Sequence, residues 1–352
     1  MTQARGTLLG IEGARGVAAC AVVLYHVSRH VDQAFGAPLL RALFQPGHAG
    51  VDLFFLLSGF IIAHVHSRDV GKGAKEPARI MHYGWRRFSR LFPIYWIALA
   101  VSLTMGLAAG HPPPDVARLL SALLLLPADA EPLLGVAWTL QYEVVFYVAF
   151  ALLIFSRPLG LALFTGWGVA ILLGLVGGAH LPGPAQFATA YNLEFLGGMA
   201  IALAARRGWR PEPNFITTCG LLGILAAGIA EATGWLDGYG TAARAAYGVP
   251  CALLIWGLVA REQRGPVAVP GWLRMLGGAS YSIYLFQFIW IGIAWKLLQL
   301  TGIDRMAGAT GCFALLSVAG IVGGVATAVW VEKPLLAVMR GHRTDRAIAA
   351  AA

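Results

Sequence analysis

The amino-acid sequence predicts an all-α fold: a polytopic integral membrane helical bundle with about ten transmembrane helices and both termini in the cytoplasm. Apolar residues make up 58% of the chain and charged residues only 12%, about half the charged share of a soluble domain. Several apolar runs reach the roughly 20 residues that a membrane-spanning helix needs. Lys and Arg are concentrated between these runs, as the positive-inside rule leads one to expect.

Ten apolar runs, separated by polar or Gly- and Pro-containing segments, are the predicted spans. In chain order they are residues 10–29, 48–66, 90–109, 133–155, 159–179, 185–204, 214–231, 243–260, 277–299 and 306–330. An eleventh stretch, 116–127, is short and ends at Pro127. Counting it as a crossing would break the alternation of the basic loops, so we interpret it as an outer-face or re-entrant segment.

Basic loops set the direction of each span. The clusters are Arg68, Lys72, Lys75, Arg79, Arg86 and Arg87 after the second span, Arg206, Arg207 and Arg210 after the sixth, Arg261, Arg264 and Arg274 after the eighth, and Arg340, Arg343 and Arg346 after the last. The first span therefore starts in the cytoplasm, the second returns the chain to that side, and every further pair of spans does the same. Because these loops account for the net charge of +9, we expect no nucleic-acid partner.

The chain reads as one domain. No repeat or low-complexity linker divides it, which predicts a membrane-embedded domain over residues 1–340 and a short cytoplasmic, basic and Ala-rich tail over 341–352. The four cysteines are scattered singly in apolar runs, without the spacing of a zinc site or a disulfide framework. We expect no metal site and assign the cysteines to packing.

Arg15 and His26 interrupt the first span and share one helical face. Eleven residues at 100° each return to within about 20° of the same direction, roughly 16 Å further along the axis. Polar groups in a span are costly, which favours a functional interpretation. A neutral imidazole is suited to accepting a proton from a hydroxyl group near neutral pH. The alternative is a histidine that only hydrogen-bonds a neighbouring helix.

Two further segments carry polar or small residues where the chain enters the membrane. The second span has Asp52 near its outer end and contains Ser58-Gly59, which allows close approach of a slender ligand or of a neighbouring helix. Arg87 and Arg90 lie at the cytoplasmic entrance of the third span, three residues apart and on one helical face. Their guanidinium groups could grip a phosphate, although anchoring to lipid headgroups explains them equally well.

Acidic residues in two later spans complete the candidate site. Glu143 lies in the fourth span about two turns from its outer end, where a carboxylate needs a partner such as Arg15 or His26. It would orient the imidazole or hold its protonated form, and a purely structural ion pair is the alternative. Glu332-Lys333-Pro334 marks the cytoplasmic end of the last span and by itself looks like an ordinary helix exit.

Taken in order, these segments resemble the membrane-bound acyltransferase-3 family, which includes O-acetyltransferases of bacterial surface and exported polysaccharides. The similar segments are Glu12-Gly13-Ala14-Arg15-Gly16 with Tyr25-His26, residues 50–60, Arg87 and Arg90 before Pro93-Ile94-Tyr95-Trp96, residues 138–143, Glu194-Phe195 with Gly197-Gly198, residues 280–285, and Glu332-Lys333-Pro334. The resemblance runs from about residue 8 to residue 340 and is strongest to the subgroup that acetylates exopolysaccharides. Many relatives carry a histidine where this chain has Gln287, so no role for a second imidazole is carried over.

The resemblance implies an acyl-CoA donor, usually acetyl-CoA, that enters from the cytoplasmic side as a co-substrate and not as a permanently bound cofactor. The implied catalytic residues are His26, Glu143 and Arg15. The implied donor-binding residues are Arg87, Arg90, Ser58, Gly59 and Phe60. Substrate contacts or structural support are expected from Asp52, Trp138, Tyr142, Glu194 and Glu332.

The predicted function is therefore acyl transfer at the bacterial inner membrane. An acyl group, expected to be acetyl, would pass from acyl-CoA to a sugar hydroxyl of a surface or exported polysaccharide or of its lipid-linked precursor. His26 would either deprotonate this hydroxyl or carry the acyl group. The expected partners are the bilayer, the sugar acceptor and polysaccharide assembly or export proteins. A transporter of an anionic lipid or sugar and a scaffold in an export complex are the alternatives.

Overall fold

The computed structural model describes residues 8–177 and 184–339. This part of the chain folds into helices joined by short loops and contains no strand, which confirms the all-α prediction. The predicted tail 341–352 and the basic residues Arg340, Arg343 and Arg346 lie outside the described residues.

Twelve α-helices lie in the described ranges. They are α1 (Leu9–Phe35), α2 (Pro38–Phe44), α3 (Gly50–His66), α4 (Pro77–Ala108), α5 (Val116–Leu124), α6 (Ala137–Phe155), α7 (Arg157–Gly177), α8 (Ala190–Arg206), α9 (Pro213–Ala232), α10 (Thr241–Arg264), α11 (Gly271–Thr301) and α12 (Ile303–Thr327). Short 3-10 turns cover Gln45–Ala49 and Ala185–Phe187, and a π turn, Ala328–Glu332, extends α12.

Eight helical stretches of the described chain are long and apolar enough to cross a membrane. They are Pro38–His66, Pro77–Ala108, Ala137–Phe155, Arg157–Gly177, Pro213–Ala232, Thr241–Arg264, Gly271–Thr301 and Ile303–Met339. Helices α1 and α8 occupy the predicted first and sixth spans with 27 and 17 residues, and the latter is at the lower limit for a crossing. The chain is therefore a multi-pass membrane bundle, and the count of ten crossings stays a prediction.

The stretch between the third and fourth predicted spans forms α5, which has only nine residues. At 1.5 Å per residue it extends about 14 Å, roughly half the hydrocarbon thickness. The Tyr95 hydroxyl of α4 donates to the Ala122 carbonyl, and the Trp96 indole donates to the Leu123 carbonyl. The short length and these anchors fit the interpretation of 116–127 as a segment that does not cross.

Helix α4 begins at Pro77, well before the predicted start of the third span at residue 90. Proline suits the first helical turn because its missing N–H has no intrahelical partner there. The predicted boundary stopped at the basic residues because hydropathy alone defined it. As a result, Arg87 and Arg90 are carried on a continuous helix that leads into the apolar part of the bundle.

The basic loops of the described chain gather at one end of the bundle. The loop between α3 and α4 packs on the last turn of α6, where the Gly73 N–H donates to the Ile154 carbonyl over 2.8 Å. The loop between α8 and α9 is tied to the end of α10 by a 2.6 Å ion pair of Glu212 with Arg264. The positive-inside rule assigns this end to the cytoplasm, and we call it the inner end.

Glycines let two pairs of helices approach backbone to backbone. A Cβ atom on Gly277 of α11 would lie 2.0 Å from the carbonyl oxygen of Glu12 in α1, and one on Gly59 of α3 would lie 2.1 Å from that of Phe195 in α8. Side chains at these positions are sterically excluded. These two close pairs place α1, α3 and α11 around the cavity described next.

Candidate active site

A cavity of about 230 Å³ lies among α1, α3, α4, α6 and α11. Its lining residues with a polar side-chain group are Arg15, Ser58, Arg87, Arg90, Thr139, Glu143, Tyr147, Ser280, Tyr281 and Tyr284. Its apolar lining residues are Val51, Phe54, Phe55, Leu57, Ile61, Ile62, Leu91 and Leu140. The fold thus brings together five of the residues predicted for catalysis or donor binding, from helices far apart in the sequence.

Arg87 and Arg90 reach the cavity from one face of α4, and their surroundings differ. Arg90 donates to the Glu332 carboxylate over 2.6 Å and lies 5.5 Å from the centre of the Tyr281 ring. Arg87 lies 5.6 Å from the centre of the Tyr147 ring, and its buried Nε has no hydrogen-bond partner within the described ranges. An anion in the cavity would supply the acceptor that Arg87 lacks.

Glu332 is buried in the π turn, with only 2% of its surface exposed. Pro334 cannot donate to the carbonyl four residues earlier and crowds it, which favours a widened turn at this point. The two carboxylate oxygens accept hydrogen bonds from Arg90 and from Ser282, each at 2.6 Å. In the sequence Glu332 looks like part of an ordinary helix end. In the structure its carboxylate connects α4 and α11 to the extension of α12.

Glu143 lies in the cavity wall, but its partners differ from those expected. The Ser58 hydroxyl donates to Oε1 over 3.2 Å, and the Tyr147 hydroxyl, one turn along α6, donates to the same oxygen. Arg15 lines the same cavity. Among the described contacts none joins Glu143 to His26, so in this structure the carboxylate holds Ser58 and Tyr147 instead of orienting the imidazole.

Tyr284 and Thr139 close the cavity at the end away from the arginines. Their hydroxyl oxygens are 3.0 Å apart, and the ring of Phe54 lies 5.8 Å from that of Tyr284. Tyr284 lies one helical turn outward of Ser280 on α11, and Thr139 lies one turn outward of Glu143 on α6. We call Phe54, Thr139 and Tyr284 the outer wall.

His26 lies beyond the outer wall and is not among the cavity-lining residues. Its ring centre is 4.6 Å from that of Phe288 and 4.6 Å from that of Tyr25. Phe288 follows Tyr284 by one turn of α11, which places the imidazole about one helical turn outward of the cavity residue Tyr284. Gln287, the departure from the family pattern, is buried and donates to the Tyr284 carbonyl over 2.8 Å.

Four other predicted residues support helix packing next to the cavity. Gly59 contacts the α8 backbone, and Phe60 is fully buried in the core. Trp138 and Tyr142 lie one turn apart on α6 and pack against Phe55, with ring centres 6.2 and 5.7 Å away. None of the four lines the cavity.

Asp52 belongs to a second buried cluster, near the outer ends of α3, α8 and α10. Arg244 donates through Nη1 to both carboxylate oxygens of Asp52, at 2.7 and 2.6 Å, and stacks over Tyr191 at 4.8 Å. Glu194 is buried beside them. Sequence reasoning missed Arg244, although an arginine inside a predicted span is itself a signal of a buried polar cluster.

Comparisons with known proteins agree with this architecture. The family model for the acyltransferase domain, Acyl_transf_3, matches residues 8–332. The chain therefore belongs to the acyltransferase-3 family, and fold and family together define it as a multi-pass membrane acyltransferase.

Three relatives illustrate the range of similar proteins. The chain is 30% identical over 320 residues to the exopolysaccharide production protein ExoZ of Rhizobium meliloti (strain 1021), covering 87% of this chain and 95% of the relative. It is 27% identical over 382 residues to the acyltransferase MdmB of Streptomyces mycarofaciens, covering 96% and 93%. It is 33% identical over 163 residues to protein 2 in the picA locus of Rhizobium radiobacter, covering 40% and 79%. No solved structure matches the chain significantly.

Proposed function

We propose that this protein is an O-acyltransferase of the bacterial inner membrane. It moves an acyl group, expected to be acetyl, from acyl-CoA to a sugar hydroxyl of a surface or exported polysaccharide or of its lipid-linked precursor. Family membership and the name of the Rhizobium meliloti relative, an exopolysaccharide production protein, support this reaction and acceptor class. The observation that carries the proposal is a cavity with three arginines at its inner part and His26 just beyond its outer wall.

The charge of the cavity suits the phosphate groups of coenzyme A. Arg15, Arg87 and Arg90 outnumber the carboxylates of Glu143 and Glu332, which leaves a surplus of positive charge. Planar guanidinium groups bind phosphate oxygens in pairs. We assign the direct phosphate contact to Arg87, because Arg90 is paired with Glu332 whereas no ion pair within the described residues holds Arg87.

The rest of the cavity suits the pantetheine arm and the acyl group. Its apolar wall is built largely by α3, and a thioester arm is a slender, mostly apolar chain. Ser58, Glu143 and Tyr147 form a hydrogen-bonded group along this path and would hold the amides of the arm. The acyl group then reaches the outer wall, and His26 lies on the far side of Thr139 and Tyr284.

The proposed chemistry is transfer of the acyl group from sulfur to oxygen. The acceptor oxygen attacks the thioester carbonyl carbon, the carbon–sulfur bond breaks, and the hydroxyl proton passes to the leaving thiolate. In this direct route His26 accepts the hydroxyl proton and passes it to the thiolate. In the alternative route the imidazole nitrogen attacks the thioester carbon and the thiolate leaves with a proton; the acceptor oxygen then attacks the acyl-imidazole, the carbon–nitrogen bond breaks, and the hydroxyl proton returns to the imidazole. In both routes the thioester must pass Tyr284 and Thr139, so these side chains move when the donor binds.

A carrier for an anionic lipid or sugar is the competing function. A positively charged cavity inside a helical bundle would suit a carrier as well. Membership of an acyltransferase family favours the enzyme. The two functions differ in whether acyl-CoA is consumed.

The test uses the purified protein in lipid nanodiscs. It is incubated with acetyl-CoA labelled in the acetyl group and with glycan extracted from the envelope of the source bacterium. Label in the glycan and free CoA thiol are measured together, and we expect equal amounts of both. His26→Ala should lower transfer by about 10²- to 10⁴-fold, the usual contribution of a general base.

His30→Ala is the matched control for His26→Ala. His30 lies one turn further along α1, with its ring 4.9 Å from that of Trp295 and away from the cavity. We expect this variant to keep its activity. Unchanged transfer in His26→Ala would refute the role of the imidazole. Movement of glycan across vesicles of the same protein without release of CoA would support the carrier.

A further inference from the structure

A group of polar and aromatic side chains lies on the outer side of His26, opposite the cavity. It consists of Tyr25, Arg29, Gln45 and Tyr239, and we call it the outer patch. Its centre is the Tyr239 hydroxyl, which accepts hydrogen bonds from Arg29 Nη1 and Gln45 Nε2, each at 2.9 Å, and shares one with the Tyr25 hydroxyl. Tyr239 is 56% exposed, so its ring is accessible from outside the bundle.

We propose that the outer patch is the subsite that binds the sugar acceptor, an inference that rests on the function proposed above. The first reason is position. The Tyr25 ring lies 4.6 Å from the His26 ring, and Arg29 follows His26 by three residues, a rise of about 4.5 Å along α1. A sugar held by Arg29 and Tyr239 therefore has a hydroxyl within reach of the imidazole, while the donor arrives from the other side.

The second reason is chemistry. A sugar ring has an apolar C–H face and a rim of hydroxyl groups. The exposed Tyr239 ring offers an apolar surface for the C–H face while its hydroxyl stays hydrogen-bonded. Arg29 uses the same atom, Nη1, for its bonds to Tyr25 and Tyr239, so in the described structure its Nη2 and Nε remain available for sugar oxygens. Its charge extends the subsite to acidic sugars.

The third reason is that the loop carrying Tyr239 is held in a defined position. The Tyr239 N–H donates to Asp237 Oδ1 over 3.0 Å. Arg244, which is fixed by its bonds to Asp52, also donates through Nη2 to the Gly238 carbonyl. The buried ion pair thus ties the loop to α3. A loop ordered before binding loses less conformational entropy when the sugar binds.

The test separates acceptor binding from donor binding by the two Michaelis constants. Apparent KM values for the envelope glycan and for acetyl-CoA are measured for Tyr239→Ala, Tyr239→Phe and Arg29→Gln. We expect KM for the glycan to rise by about fivefold or more in Tyr239→Ala and Arg29→Gln, with KM for acetyl-CoA changed by less than about twofold. Tyr239→Phe keeps the ring surface and should show a smaller rise.

Trp235→Ala is the matched control, because Trp235 lies in the same loop, is 90% exposed and is outside the outer patch. It should leave both constants within about twofold of wild type. An unchanged glycan KM in Tyr239→Ala and Arg29→Gln, or an equal rise of both constants, would overturn the proposal. If Tyr239→Ala does not fold, Arg29→Gln and Tyr239→Phe decide the matter.

Failure of the subsite and failure of the proposed function give different results. If wild type transfers no acyl group, the proposed function fails. The outer patch is then tested alone, by measuring binding of the same glycan to wild type and to Arg29→Gln without acyl-CoA. Weaker binding in the variant supports the subsite, and equal binding or none refutes it.

Discussion

Arg90 and Glu332 join two points of the chain that are 242 residues apart through a 2.6 Å hydrogen-bonded ion pair. The Glu332 side chain is 2% exposed and that of Arg90 is 33% exposed. The second carboxylate oxygen accepts from Ser282. This pair fixes the end of the last span against α4 at the part of the cavity where we propose that the donor enters.

Replacing Glu332 by alanine should destabilise the fold, because Arg90 and Ser282 lose their acceptor. We expect a loss of about 1–3 kcal/mol, below the usual cost of a broken buried pair since Arg90 is partly solvated. Glu332→Gln should lose less, because its amide oxygen still accepts from Ser282. Thermal unfolding in detergent measures this, and Arg90→Ala/Glu332→Ala should lose less than the sum of the single losses. Strict additivity would show that the pair is not coupled.

Replacing Arg87 by alanine should weaken donor binding with little effect on stability. Charge-assisted hydrogen bonds to a phosphate contribute about 1.5–3 kcal/mol, so KM for acetyl-CoA should rise by roughly tenfold or more. Lys72→Ala is the control, because Lys72 is exposed in the basic loop between α3 and α4 and does not line the cavity. An unchanged KM in Arg87→Ala would assign this arginine to lipid anchoring.

Hydropathy and charge were enough to predict the helical bundle and the character of its loops, because a span must be apolar over its whole length. They were not enough to predict which side chains contact each other between helices. The phase of α1 correctly places Arg15 and His26 near one helical face, but their separation along the axis puts them on opposite sides of Tyr284. Side-chain periodicity defines the face of a helix, whereas the partner across the interface depends on how the helices assemble. The Ser58–Glu143 hydrogen bond and the Asp52–Arg244 ion pair could therefore not be predicted from the sequence.

Replacing Phe54 by alanine should widen the range of acyl groups that are accepted. Phe54 lines the cavity beside Tyr284, so its ring occupies space next to the proposed path of the acyl group. Each methylene that becomes buried contributes about 0.8 kcal/mol, so kcat/KM for octanoyl-CoA relative to acetyl-CoA should rise by about tenfold or more. Phe313→Ala is the control, since Phe313 is also half-buried but packs against Phe44. An unchanged ratio in Phe54→Ala would exclude Phe54 as a determinant of acyl length.

Replacing Gly59 by alanine distinguishes helix packing from a passage for the donor. A Cβ atom there would lie 2.1 Å from the Phe195 carbonyl oxygen, so α3 and α8 must separate, at an expected cost of about 1–3 kcal/mol. Gly166→Ala is the control, because a Cβ atom on Gly166 of α7 meets no atom within 4 Å, and alanine is the better helix former. The unfolding temperature should therefore fall in Gly59→Ala and stay the same or rise slightly in Gly166→Ala. If Gly59 lined the path of the pantetheine arm, Gly59→Ala would instead unfold at the wild-type temperature and show a raised KM for acetyl-CoA.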